Sequence, residues 1–263
     1  MMRKTGIVTG AASGLGYEFS NLLAKDSYDL VLVDNNEQNL IETKQKIEAI
    51  YPINVCTLVC DLRKSDDIEF VYEQVKEKNV EVLINNAGFG LYGFFAETDW
   101  KIEESMIQLH VLAVTHLTKL VLKDMIRKGR GKILNVSSVA AFQPGPLMAI
   151  YYATKAFILS FSEALANEVK GTGVTVTVLC PGQTKTNFQE KTALNSKKKQ
   201  SKLNILSAAN AAKVALYGYN DMISGDSKSV PGLVNKIIVL LSGLTPSRIS
   251  VAIIRRVQER IRK

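Results

Sequence analysis

The sequence predicts an α/β fold, a doubly wound parallel sheet with helices on both faces, on three observations. Short runs rich in Val, Ile and Leu alternate with longer helix-like segments along most of the chain. Each run is apolar nearly throughout, as strands covered on both faces require. Polar and glycine-rich motifs recur just after the runs, at what would be the carboxyl ends of the strands or on the following helix. Right-handed strand–helix repetition builds this architecture, and its ligands bind beyond those carboxyl ends.

Taken in order, the predicted strands are residues 6–9, 29–34, 55–60, 80–85, 132–137 and 174–179. The predicted helices are 14–25, 38–50, 66–78, 99–128, 150–170 and 208–222. Ser65 before Asp66 and Asp67 reads as a capping hydroxyl with negative charge in the first turn. After Pro181 the pattern loosens: residues 183–207 are polar and lysine-rich, and are expected to form a loop or helical lid over a substrate. Pro231-Gly232 then opens a C-terminal helical extension, 232–263, in two amphipathic pieces. With no internal repeat and no flexible linker, the 263 residues are expected to form a single domain with a C-terminal helical elaboration.

At 46% apolar residues the chain can bury a substantial core, which excludes large-scale disorder. Cys56, Cys60 and Cys180 form no Cys-x-x-Cys pair, and two histidines are too few to complete a metal site with them. No metal is expected, and all three thiols are predicted to be buried in a reducing compartment. No signal peptide is read at the start, and the apolar run near 232–244 is too short to span a bilayer and carries Lys236. A soluble, cytoplasmic protein is expected. The net charge of +8 sits mainly on residues 185–202 and 248–263, leaving a near-neutral body. A solvated surface explains this, as does peripheral contact with an anionic membrane or with a phosphate-bearing carrier on the substrate. Nucleic acid is not expected as a partner, because the basic segments bring no aromatic platform or known module.

Thr9-Gly10-Ala11-Ala12-Ser13-Gly14-Leu15-Gly16 follows the first strand directly. Three glycines let the backbone turn tightly and approach a pyrophosphate, which then sits on the amides of the next helix. That makes the sheet a Rossmann-type, dinucleotide-binding one. Asp34 ends the second strand, 18 residues beyond Gly16, where a carboxylate accepts adenosine ribose hydroxyls and repels a 2′-phosphate. Asn35 and Asn36 follow it, with no cation in the glycine loop, so NAD(H) is expected to be preferred over NADP(H). Asn85-Asn86-Ala87-Gly88 ends the fourth strand; paired amides suit a buried polar network, although the string alone also fits a turn.

Ser138 follows the fifth strand, while Tyr151 and Lys155 stand four apart on one face of a helix. A nearby ammonium and an oxidised nicotinamide would lower the tyrosine pKa from its usual value of about 10. Ser138 can then orient a substrate oxygen while Tyr151 gives or takes its proton. Tyr152 lacks a cationic partner, since Ala156 stands four residues on. Alone, a Tyr-x-x-x-Lys pair also fits a surface helix contact.

With these motifs in this order, residues 5–190 resemble the short-chain dehydrogenases/reductases of ordinary length. The likeness is closest to a bacterial subgroup with Asn-Val-Ser-Ser-x-Ala-Ala-Phe, Tyr-x-Ala-Thr-Lys-Ala-Phe and Cys-Pro-Gly, standing here at 135–142, 151–157 and 180–182. The resemblance implies a pyrophosphate site at Gly10, Ser13, Gly14, Leu15 and Gly16, the adenosine ribose at Asp34 and the adenine at Asp61. Asn86, Ala87 and Gly88 would lie by the cofactor ribose. Lys155 would bind the nicotinamide ribose, and Thr184 and Thr186, after Pro181-Gly182, would meet the carboxamide. It also implies a homodimer or homotetramer built through the 99–128 and 150–170 helices. Two departures stand out: His110 occupies the position of an asparagine that supports a proton relay, and the subgroup commonly has Arg near Asn35 and favours NADP. Phe89, Tyr92, Phe94, Phe95, Val139, Phe142, Met148 and Phe188 lie near the expected pocket in sequence and suggest an apolar or lipid-like substrate, although core or dimer packing explains them equally. The expected activity is interconversion of a carbonyl and a secondary alcohol, with a weak or inactive dinucleotide-binding sensor on the same fold as the alternative.

Overall fold

A computed structural model describes residues 3–185 and 209–262, with side chains through Glu259. Six long strands carry the fold: β1 (Thr5–Thr9), β2 (Asp29–Asp34), β3 (Val55–Val59), β4 (Val80–Asn85), β5 (Gly131–Val136) and β6 (Val174–Leu179). Beyond them lie the two-residue strands β7 (Thr184–Lys185), β8 (Ala209–Asn210) and β9 (Lys228–Ser229). The main sheet runs in the order β3-β2-β1-β4-β5-β6-β9, with every neighbouring pair parallel. The winding reverses between β1 and β4, which opens the crevice where such sheets bind ligands. Strands β7 and β8 form a separate small ladder.

Successive strand residues point to opposite faces, so β1 sends Ile7 into one apolar layer and Val8 into the other. The first layer packs under α3 (Ser65–Glu73) and α5 (Val114–Lys128), through Val71, Leu117, Val121 and Met125. The second packs under α1 (Gly14–Lys25), α2 (Glu37–Glu48) and α7 (Ala211–Ser224), through Phe19, Leu40, Val214 and Met222. The remaining helices are α4 (Trp100–Ile107), α6 (Ala149–Glu168), α8 (Leu233–Leu244) and α9 (Ser247–Arg262).

Several expectations change. Cys56 is exposed while Cys60 and Cys180 are buried. The reason is that β3 is the sheet's edge strand, where both faces are less fully covered, so that Cys56 on one face and Val59 on the other are exposed. Ser65 is the first residue of α3 rather than its cap, which is Lys64. Asp67 instead accepts the Asp61 amide at 2.6 Å, and α3 ends at Glu73, well short of residue 78. Strand β9 was not foreseen, since two residues leave no periodic signal. The predicted 99–128 helix is α4 and α5 joined by a π-helical stretch, Gln108–Ala113. It is long and apolar enough to cross a membrane by length and composition, but Met106, His110, Leu117, Val121 and Met125 are buried inside the protein. The expected 183–207 lid falls almost wholly outside the described residues.

One polar chain crosses the core. The Asn85 amide donates to Thr118 Oγ1 at 2.9 Å and to Asn135 Oδ1 at 2.8 Å. Asn135 in turn donates to Ser162 Oγ at 2.9 Å. This ties β4, α5, β5 and α6 together. Asn135→Ala leaves Asn85 and Ser162 short of partners at a site closed to water, and is expected to cost about 2–3 kcal/mol. Urea denaturation measures it; a loss below about 0.5 kcal/mol would show that the network does not hold the sheet to its helices.

Candidate active site

The glycine loop is built by necessity. Gly10 and Gly14 sit at φ +64° and +57°, where side chains are strained. A Cβ on Gly16 would lie 2.0 Å from the Gly10 carbonyl, and one on Gly10 2.8 Å from Ala87 Cα. Asn86 straps the loop down: its amide donates to the carbonyls of Thr9 (3.0 Å) and Gly10 (3.1 Å). Thr9 Oγ1 accepts the backbone N–H groups of Asn86 and Ala87 in return. Asn86 thus shapes the loop, where the resemblance implied a ribose contact. Helix α1 starts at Gly14 with Ser13 extended at its cap, and no side chain caps it. Its first amides, Leu15 among them, suit an anion.

Asp34 closes the same corner. One carboxylate oxygen accepts the Ala12 N–H and the other the Asn36 N–H, both at 3.0 Å. Asp61 lies at the end of the neighbouring strand, but Arg63 grips its carboxylate through two bonds of 2.7 and 2.6 Å. Those bonds hold Asp61 below the usual carboxylate range. A tight loop, an uncapped helix start and a fixed carboxylate fit an adenine dinucleotide: pyrophosphate on the loop and ribose at Asp34.

Ser138, Tyr151 and Lys155 meet at the carboxyl end of β5. The Ser138 hydroxyl is hydrogen-bonded to the Tyr151 phenol, and also faces the Pro181 carbonyl at 3.4 Å. The Lys155 ammonium donates to the Val136 carbonyl at 2.9 Å and stands 5.7 Å from the centre of the Tyr151 ring. Burial pulls Lys155 down to about 8. Burial also pushes Tyr151 up to about 12, against the opposing hydrogen bond from Ser138. Desolvation of the phenolate is the largest effect, with the Ser138 hydrogen bond acting against it; the expected lowering by Lys155 is not among the causes. The resting phenol is neutral and carries its proton.

His110 is 1% exposed. Its Nε2 accepts the Phe89 N–H at 3.2 Å, so in the neutral ring the proton lies on Nδ1. That proton points to Thr154 Oγ1 at 3.0 Å, whose own hydroxyl donates to the Tyr151 carbonyl at 2.9 Å. Burial, then the nearby Lys155 charge, holds His110 well below its usual 6.5. Both ring nitrogens are engaged, so His110 acts as a strut between the 88–89 turn and α6. Gly88 leaves it room, since a Cβ there would lie 2.8 Å from Nε2.

Pro181 and Gly182 line the far side, with Gly182 pressed against Asn235 of α8, and Thr184 Oγ1 donates to the Gly182 carbonyl. Thr186 and Phe188 lie outside the described residues. A cleft beside Tyr151 is walled by Leu91, Phe95, Met106, Leu147 and Met148, together with the buried Glu103, which accepts the Thr98 hydroxyl. Phe142 instead packs with the core group around Ile158. The Tyr152 hydroxyl accepts the Gln258 amide at 3.1 Å, outside the catalytic cluster.

Sequence reasoning missed three groups here. Ser137 Oγ donates to the Lys155 carbonyl at 2.7 Å, and Thr154 holds His110; both sit inside recognised motifs without an assigned task. Gln258 reaches Tyr92 and Tyr152 from α9 with no local signal, because those partners are far away in sequence.

Comparison with known proteins agrees with this geometry. The short chain dehydrogenase family model matches residues 4–197. The chain is 27% identical to the ketoacyl reductase HetN of Nostoc sp. over 94% of its length and 86% of that protein's. It is 36% identical to a very-long-chain 3-oxoacyl-CoA reductase of Laccaria bicolor over 65% of its length, spanning 52% of that longer protein. A short-chain dehydrogenase from Sphingobium yanoikuyae, solved with NADPH, superposes with a TM-score of 0.81 at 26% identity, covering 92% of this chain and 95% of that one. The chain belongs to the short-chain dehydrogenase family of oxidoreductases, which interconvert carbonyls and alcohols with nicotinamide dinucleotides.

Proposed function

We propose that the protein is an NADH-dependent reductase of an apolar ketone, of the 3-oxoacyl class, with Tyr151 as the proton donor. The observation that carries this is the buried, proton-bearing Tyr151 bonded to Ser138, one helical turn from Lys155. The cleft walls Leu91, Phe95, Met106 and Met148 support an apolar chain. The 3-oxoacyl class is drawn from the names of the two relatives above.

The glycine loop and Asp34 would hold a reduced nicotinamide dinucleotide, which would supply the hydride when bound. Ser138 and Tyr151 hold the ketone oxygen, and the Tyr151 proton passes to that oxygen as its carbon is reduced, leaving a secondary alcohol. The ammonium of Lys155 steadies the phenolate that remains, which takes a proton back from water. Ser137 and Val136 fix Lys155 in place through its carbonyl and its ammonium.

Tyr151→Phe is expected to lower turnover of a 3-oxoacyl substrate at least about a thousandfold, with NADH affinity within about twofold in a fluorescence titration. Retained turnover would sink the mechanism. In the same titration NADH is expected to bind at least about tenfold more tightly than NADPH, with Asp34→Ala reducing the preference to less than about threefold; tighter NADPH binding reverses the cofactor assignment. Because His110 is held neutral when folded, the unfolded chain binds the extra proton as pH drops below about 6.5. Stability is then expected to fall by up to about 1.4 kcal/mol per pH unit in that range. His110→Asn should remove this contribution, and equal pH slopes for the two proteins would contradict the strut assignment.

A further inference from the structure

Helix α8 is turned inside out. None of its residues is buried. The side resting on the protein is the row Asn235, Val239 and Ser242, half-buried at helical spacing. Asn235 donates to the Pro231 carbonyl and abuts Gly182. The opposite side carries Leu233, Val234, Ile237, Leu240, Leu241 and Leu244, with Leu233 and Leu244 each 74% exposed. Helix α9 repeats the inversion. Ser250 and Gln258 are its buried residues, while Ile249, Ile253 and Val257 face outward at i, i+4 and i+8. Soluble helices place these two faces the other way round.

The surroundings of this apolar surface are cationic. Lys236, Arg248 and Arg256 are exposed among its apolar residues. Glu259 is the one acidic residue in 233–262, against six basic ones, and it is paired with Arg255. A second copy seated on this face by a two-fold axis would bring the same cations together with no acid to answer them. Helix α8 has twelve residues, about 18 Å of helix, against a hydrocarbon core of about 30 Å. It is built to lie along a bilayer rather than to cross one.

We infer that helices α8 and α9 dock the protein onto the surface of an anionic phospholipid bilayer, apolar faces in the acyl boundary and Lys236, Arg248 and Arg256 among the headgroups. The inner side of α9 rests on residues close to the candidate site. The Gln258 carbonyl accepts the Tyr92 hydroxyl at 2.7 Å, and the Gln258 amide donates to Tyr152, next to Tyr151. Docking therefore brings Tyr152, the neighbour of Tyr151, toward the acyl phase, where an apolar substrate is stored. The binding itself does not depend on the reaction assigned to the site.

The test is co-sedimentation of the full chain with vesicles of phosphatidylcholine, alone or with about one quarter phosphatidylglycerol, at about 0.1 M salt. The expected result is binding to the mixed vesicles at least about tenfold above the neutral ones, with release at high salt. Leu240→Asp with Ile253→Asp, and separately Arg248→Glu with Arg256→Glu, should each cut bound protein about tenfold. NADH affinity, melting temperature and the mass of the assembly in solution should stay unchanged. No preference for anionic vesicles overturns the inference. So does a fall in assembly mass in the Asp variant, which would make the face an interface between copies.

Discussion

Helix α6 brings Tyr151 and Lys155, strand β5 brings Ser138, and the reaction needs these elements held to within a fraction of an ångström. Polar bonds along one seam hold them: Ser162 to Asn135, Ser137 to the Lys155 carbonyl, and the Lys155 ammonium to the Val136 carbonyl. Apolar packing alone would let α6 slide by a fraction of a turn at little cost. A directional bond between buried partners does not, since each displaced group would be left unsatisfied. The same seam continues through Asn135 to Asn85 on β4, whose next residue, Asn86, shapes the glycine loop. Cofactor corner and proton donor are thus parts of one bonded frame.

The frame also explains the protonation states. Lys155 is pulled down to about 8 and Tyr151 pushed up to about 12 by the same cause, exclusion of water. For Tyr151 burial favours the neutral phenol, with a proton to give, whereas it works against the Lys155 ammonium, which is satisfied by the Val136 carbonyl. A positive charge bound between the glycine loop and Tyr151 would favour the phenolate, so a pair of this kind is sensitive to the redox state of what occupies the corner. His110 belongs to the frame for the same reason. A buried imidazole with both nitrogens engaged fixes the 88–89 turn without adding charge near Lys155.

Much of this was legible in the sequence, and what was not has a physical reason. The six long strands announce themselves because both faces are buried, so Val, Ile and Leu run together. The exception is β3, whose place at the edge leaves Cys56 exposed, a fact of strand order that no local pattern carries. Helix ends drifted where a cap was read from residue type alone, as at Ser65. Gly10, Gly16, Ser138, Tyr151 and Lys155 stood out because their chemistry demands fixed residue types at fixed spacing. Asn86, Thr154 and Ser137 lay inside the same motifs, but their partners come from other elements. Gln258 had no signal at all, since a glutamine in an arginine-rich helix looks like solvent-facing surface until α9 is seen folded over Tyr92 and Tyr152.

The two C-terminal helices carry that last point further. Their composition reads as an ordinary amphipathic tail, and only the fold reveals which side faces in. Polar residues inward are tolerable where they have partners: Asn235 has the Pro231 carbonyl, and Gln258 has two tyrosines. Apolar residues outward have none in water, and the hydrophobic effect penalises them unless something covers them. Helix α9 shows both halves of this arrangement, with Gln258 turned in on Tyr92 and Tyr152 and Ile249, Ile253 and Val257 turned out.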